Sequence, residues 1–340
     1  MDPGQGTSDD QNLSSSAVAA PPLPLFPNAS RLGLGCASLG SRIGHKAGER
    51  ALEAAFAHGL NWFDLSPSYG DGEAEAILAT FATSRRDRIH ICTKVGMAPG
   101  AVHPLVRALK PLAQRVIALA PGLRSVISRG REAPHRLPIR GDVILSSIER
   151  SLRRLRTDHV DVLALHYPEP DDLAREDVLR ALETATASGM AKVVGVAGAP
   201  ELARTVVAGC LRFEHIQFKA GYLGDDVIDL APVAAMARSV AVHSLFASVP
   251  TVQARLEDDI YLTRLVLKRH SYGMEIGQAL RAAMLDDALA RVPNAVIVVS
   301  LFQRSHLEFA CARLEHHDGA KAAALLHDLK HLCAAASERH

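Results

Sequence analysis

Four polar side chains stand where the chain could do acid–base chemistry. Asp64 ends the apolar run "NWFD", Tyr69 follows five residues later in "LSPSYG", Lys94 ends "IHICTK", and His166 ends "VDVLALH". A free phenol is a weak acid, with an ordinary pKa of ~10. A cation at ~4 Å in an effective dielectric near ~20 contributes about 4 kcal/mol, or roughly three pKa units. Desolvation of the phenolate takes part of that back. Lys94 is therefore expected to bring Tyr69 toward useful acid strength, with Asp64 holding Lys94 charged and in place. His166 is expected to orient a carbonyl oxygen or to assist the proton transfer. With no metal ligands predicted beside it, a tyrosine acid suits reduction of a carbonyl or its reverse. The hydride for such a step must come from a cofactor, because side chains cannot supply one.

Taken singly, each of the four reads better as a polar surface residue marking a strand end. Their joint placement depends on the elements that carry them. From Arg31 onward, short apolar runs alternate with helical patterns. The runs are "RLGLGCASLG", "LNWFDLS", "IHICTKV", "HVDVLALH", "AKVVGVAG", "EHIQFKAGYL", "VAVHSLFA" and "NAVIVVSLF". Several are apolar on both parities, as strands covered on both faces should be. Between them, segments such as "DVILSSIERSLRRL" place Leu145, Ile148, Leu152 and Leu155 on one helical face. Gly59 and Gly189 stand where two helices should end in a left-handed cap. Eight such units predict a parallel (β/α)8 TIM barrel, with a doubly wound open sheet as the alternative. The count favours the barrel, and "GLGCASLG" does not fit the G-x-G-x-x-G phosphate turn. In a barrel the C-terminal strand ends open on one face, and neighbouring strands lie ~4.7–4.9 Å apart. Asp64, Lys94 and His166, on strands two, three and four, then converge beneath Tyr69.

Residues 31–340 are expected to make one barrel domain. Residues 1–30, rich in Ser, Pro, Gly and Asp, are expected to be a flexible leader. No apolar run suits a membrane span, and the absence of a signal-like segment points to the cytoplasm. Five scattered cysteines without a C-x-x-C pair suggest reduced thiols, and a net charge of +1 gives no pull toward nucleic acid. One segment is not neutral. Residues 97–141, an insert after the third strand, hold eight Lys/Arg and one Glu. It reads as an unstructured loop, as a lid over the site, or as a docking helix. In the helix, Leu105, Val106, Leu109, Leu112 and Val116 would form one face beside Arg107, Lys110 and Arg115. As a lid, its charge would favour an anionic substrate. An extra C-terminal helix is predicted over 320–336. It carries His327 and His331 four residues apart, but no third ligand beyond Cys333, so no metal site is expected.

Four stretches together, "FDLSPSYGDGEAE", "CTKVG", "SIERSLRRLRTDHVDVLALHYPEP" and "GMAKVVGVAG", resemble the aldo-keto reductases. The likeness runs from about Arg31 to Ala310, and its "FD-x-S-P-x-YG" form is most similar to aldose and pyridoxal dehydrogenases. The resemblance implies a (β/α)8 barrel with Asp64, Tyr69, Lys94 and His166 as catalytic residues. It implies NADPH or NADH across the barrel mouth, NADP(H) being favoured, and an aldehyde, ketone or sugar lactol as substrate. Gln217 matches a partner of the nicotinamide amide, and Ser244 lies in the pyrophosphate turn. His243 stands where it would stack on the nicotinamide or simply fill the mouth. Ser300 and Arg304 lie in the last phosphate loop, where Arg304 reads as a cofactor contact or as surface charge. Ala197 and Gly198 replace the family's Ser-Asn pair, and Phe309 and Ala310 replace its Glu-Asn pair. The alternative is a barrel that binds a nucleotide or a partner protein without turnover.

Overall fold

The computed structural model describes residues 24–100, 133–199, 201–202, 206, 213–222 and 237–337. All eight apolar runs are strands: β1 (Leu32–Gly35), β2 (Trp62–Asp64), β3 (His90–Val95), β4 (Val160–His166), β5 (Ala191–Gly198), β6 (His215–Lys219), β7 (Ser239–His243) and β8 (Ala295–Val299). They close on themselves in the order β1-β8-β7-β6-β5-β4-β3-β2, parallel at every seam. The barrel expectation holds, and the open sheet does not, because β1 pairs with β8 as well as with β2.

Register places the polar residues. Asp64 pairs with Cys92, Lys94 with Ala164, His166 with Ala197, and Ala197 with Gln217. Side chains alternate between faces with a period of two. One parity therefore fills the barrel interior with Trp62, Cys92, Val162, Ala164, Val193, Ala197, Ala241, Val296 and Val298. Phe26 closes the bottom, its ring 5.4 Å from Trp62 and 5.3 Å from His90. It lies in the stretch read as a leader, of which residues 1–23 fall outside the described residues. At the same end, buried Asp161 accepts from Arg86 Nη2 at 2.8 Å, Lys192 Nζ at 2.9 Å and the Ile91 N–H at 2.9 Å. That clasp ties β3, β4 and β5 together below the mouth.

The opposite parity packs against the helices α1 (His45–Ala57), α2 (Ala74–Ala82), α3 (Gly141–Leu155) and α4 (Glu176–Ala187). In α3 the buried apolar stripe is Ile144, Ile148, Leu152 and Leu155. Leu145, expected within it, lies at its edge, because Ile144 stands four residues before Ile148 and points more directly at the sheet. Gly59 and Gly189 take φ of 84° and 76°, as the expected caps require.

After β7 come α5 (Val249–Glu257), α6 (Ile260–Arg269) and α7 (Ile276–Arg291), and after β8 come α8 (Arg304–Glu315) and α9 (Gly319–Ser337). The last is the helix expected at 320–336; it buries Ala322, Leu325, Leu326 and Leu329 and packs on α5, α6 and α7. Ends of the basic insert meet at the mouth, where Met97 and Ala98 pair antiparallel with Arg136 and His135. Its residues 101–132, including the proposed helix face, lie outside the described residues. Among the described residues, no helix is long and apolar enough to cross a membrane.

Candidate active site

Asp64 and Lys94 meet inside the top of the barrel, 3% and 2% exposed. Lys94 Nζ donates to Asp64 Oδ1 at 2.7 Å and to the Leu65 carbonyl at 2.8 Å. A buried ammonium needs such partners, since removing it from water costs several kcal/mol. Burial acts to lower the Lys94 pKa, but the Asp64 carboxylate beside it wins and holds it above the ordinary lysine range. The structure places Asp64 and Lys94 in direct contact as a buried ion pair.

Tyr69 sits above the pair, its ring centroid 5.0 Å from Lys94 Nζ. It begins a short 3-10 turn, Tyr69–Gly72, in which Gly70 has φ 61°. A Cβ on Gly70 would lie 1.7 Å from the Leu39 carbonyl oxygen, so this turn admits only glycine. The phenol corrects one expectation. Burial pushes Tyr69 up, Lys94 pulls it down and Asp64 pushes it up again, leaving it at about 12. Desolvation therefore outweighs the cation, and the phenol rests protonated rather than shifted toward neutrality.

His166 closes the group, its ring 6.1 Å from that of Tyr69 in an edge-on arrangement. Burial and the nearby Lys94 charge depress it to about 3, so it is a neutral imidazole. Its Nδ1 lies 3.5 Å from Ser66 Oγ, which lies 3.0 Å from Ser68 Oγ. Tyr167 stacks on the His166 ring at 5.1 Å. Sequence reasoning passed over Ser66, Ser68 and Tyr167. The two serines could have been found, since they occupy the same short connection as Asp64 and Tyr69.

The residues assigned to a cofactor are more dispersed. Gln217 is 1% exposed, and its Nε2 donates to Asp64 Oδ1 at 3.0 Å. Its Oε1 lies 3.7 Å from the Cys92 thiol, so both ends of the amide are engaged inside the barrel. His243, at the end of β7, has Nδ1 2.9 Å from Ser244 Oγ, and burial lowers its pKa to about 4. Ser244 has φ 58° and is exposed, as is Ser300 just past β8. Arg304 opens α8 as an exposed side chain and pairs with Glu308 at 2.7 Å. Thus Asp64, Lys94, Tyr69, His166 and Gln217 come together, with His243 facing the same charges. Ser300 and Arg304 stay on the rim. Among the described residues no cluster of three or more His, Cys, Asp or Glu is placed to hold a metal. His327 and His331 lie against each other, their Nε2 atoms 3.2 Å apart.

Known proteins share both the pattern and the fold. The chain is 35% identical over 149 residues to a 6-dehydroglucose reductase of Agrobacterium fabrum, covering 43% of this chain and 41% of that protein. It is 33% identical over 175 residues to a D-threo-aldose 1-dehydrogenase of a Pseudomonas species, covering 48% and 49%. The chain thus spans less than half the length of these curated relatives. In structure it is similar to an aldo/keto reductase from Klebsiella pneumoniae solved with NADP and acetate, with a TM-score of 0.58 over 87% of this chain and 90% of that one. At 21% identity that likeness concerns the fold alone. The model of the aldo/keto reductase family matches residues 31–218, more than half of the sequence and every one of the four residues gathered around Lys94. On that match the chain belongs to the aldo/keto reductase family.

Proposed function

We propose that this protein is a nicotinamide-dependent oxidoreductase acting between an aldehyde, ketone or sugar lactol and the corresponding alcohol or lactone. The observation that carries the reading is the buried Asp64–Lys94 pair lying 5.0 Å below the Tyr69 ring. Tyr69 is the proton donor in the reductive direction. A phenol at about 12 is protonated at every physiological pH, yet it is far more acidic than the alcohol its proton would form. Lys94 offsets the negative charge left on the phenolate, and Asp64 keeps the lysine charged and fixed. Neutral His166, beside Tyr69, would serve as a hydrogen-bond partner for the carbonyl oxygen without adding a second positive charge. The names of the two curated relatives, a sugar reductase and an aldose dehydrogenase, support a carbohydrate-like carbonyl substrate.

The donor set around the mouth fits a phosphate-bearing dinucleotide. Exposed hydroxyls of Ser244 and Ser300 stand near the ends of β7 and β8, and the twelve-residue α8 begins without a side-chain cap. Its free first-turn amides favour an anion. His243, Ser244, Ser300 and the start of α8 would hold the cofactor, with Arg304 available once it leaves Glu308. The cofactor, when bound, supplies the hydride. Grip on its amide rests on fewer side chains than usual, since Ala197 and Gly198 have no polar group and Gln217 is bonded to Asp64. NADP(H) is favoured over NAD(H), in line with the Klebsiella protein solved with NADP.

Titration of the protein into NADPH and into NADH, followed by reduced-nicotinamide fluorescence, tests the first requirement; binding of neither removes the proposal. Tyr69→Phe should lower kcat by at least about 100-fold, while NADPH affinity stays within about twofold. Wild-type binding of NADPH with no turnover of any aldehyde or aldose would instead favour a nucleotide-binding barrel.

A further inference from the structure

Large apolar side chains exposed to solvent are concentrated on one element. Among the described residues they are Tyr167 at the barrel mouth and then Ile260, Tyr261, Leu262 and Leu265, all on α6. Tyr261 is 71% exposed and Leu265 46%. Their spacing of four puts them one above the other on a single face. Two other residues of the helix, Thr263 and Leu267, are buried, and they seat it on the body of the protein. Beside the apolar face lies a hollow of about 730 Å³, with Leu267, Met274 and Ile276 on its floor and Glu257, Arg264 and Lys268 on its rim. An apolar centre with a charged border is the composition of a protein interface rather than of an idle surface.

Charge along this element is also polarised. Glu257, Asp258 and Asp259 precede the helix, and Arg264, Lys268 and Arg269 follow along its second half. A surface of that kind complements itself when turned end for end, which is the requirement of a two-fold contact. The numbers agree on where the axis would fall. An antiparallel pairing centred on residue 263 sets Tyr261 against the partner's Leu265, and by the same operation sets Asp258 near the partner's Lys268. Apolar and ionic pairs therefore call for one register.

We propose that α6 is the contact through which two copies of this chain pair about a two-fold axis, with Tyr261 and Leu265 at its centre. Burial of the apolar pair supplies the affinity, and the charged ends select the antiparallel orientation. Since α6 lies between β7 and α7, outside the barrel wall, pairing leaves the Asp64–Lys94 site of each copy as it is.

Light scattering coupled to size exclusion, run on the full chain over a range of concentrations, should give a dimer. Leu265→Glu would place two unpaired carboxylates in the contact and should raise the dimer dissociation constant at least about 100-fold. Its thermal unfolding, measured where the wild type has also dissociated, should be unchanged, because Leu265 is already half exposed. Charge reversal supplies a control that does not depend on that variant. Asp258→Lys and Lys268→Asp should each weaken self-association, whereas an equimolar mixture of the two should form a mixed dimer, since both ionic pairs are then opposite in sign. A wild-type protein that stays monomeric at the highest concentration overturns the proposal and leaves the face to another occupant. So does a dimer indifferent to Leu265→Glu, or a mixture of the charge variants that does not associate.

Discussion

Lys94→Met separates the two jobs assigned to the lysine. Its Nζ lies 5.0 Å from the Tyr69 ring centroid. At an effective dielectric near ~20, a unit charge at that distance is worth ~3 kcal/mol. Removing it should raise the phenol from its already elevated position by roughly two further pKa units. A proton donor weakened by that much loses between about tenfold and about 100-fold in rate from acidity alone. A second cost falls on stability. Asp64 would keep the Gln217 donor at 3.0 Å but no cation, and leaving one buried charge of a pair without its partner costs about 3–5 kcal/mol. Asp64→Asn in the Lys94→Met background removes the stranded carboxylate and should recover most of that stability. Turnover should not return with it, because the cation is still missing. Denaturant unfolding reads the first quantity, and the decay of reduced-nicotinamide absorbance with a reactive aldehyde reads the second. If the single variant turned over within about threefold of wild type, the electrostatic role of Lys94 would be refuted. Recovery of turnover together with stability in the double variant would reduce Lys94 to a structural part.

Protonation states give a second expectation. With His166 near 3, His243 near 4 and Tyr69 near 12, none of these three groups titrates between about pH 5 and about pH 9. Reductive kcat/KM should be flat over that window, and the oxidative rate should climb with pH toward the phenolate; an inflection near the ordinary histidine value would show that His166 charges during the reaction. At the barrel bottom, burial works to raise Asp161, but His90, its Nδ1 3.6 Å away, and the Arg86 charge, joined by the Ile91 amide and Lys192, hold it below the ordinary carboxylate range. A carboxylate depressed in this way adds stability above its unfolded pKa and loses that contribution as the pH falls. Asp161→Asn should cost about 3 kcal/mol near neutrality, with a smaller difference from wild type in acid, measured by urea unfolding at both. Gly70→Ala should both destabilise the protein by about 1–3 kcal/mol and suppress turnover, because the new Cβ meets the Leu39 carbonyl and displaces the turn bearing Tyr69. Unchanged kinetics in that variant would show that the turn does not position the phenol.

The barrel was legible from strand count, from apolar runs on both parities and from strict alternation, because those patterns follow from chain periodicity and coverage on two faces. The gathering of Asp64, Lys94, Tyr69 and His166 was legible for a related reason. A polar residue ending an apolar strand has few destinations in a barrel other than its mouth, and three such residues fell on consecutive strands. What periodicity cannot convey is distance between chains. Whether Gln217 would point up to a ligand or down to Asp64 was decided by the register of β6 against β5 and β7. That Ser66 reaches His166, with Ser68 bonded behind it, depends on a loop geometry with no repeating signature.

Tyr69 marks the division most sharply. Its type and its place after Asp64 named it as the acid, and Lys94 was rightly read as its neighbour. The balance between cation and desolvation depends on how completely the surrounding atoms exclude water, which is a property of the packed interior rather than of the residues taken in order. Residue identity determined which charges would meet. Only the tertiary structure decided how deeply they are buried, and burial left the phenol protonated.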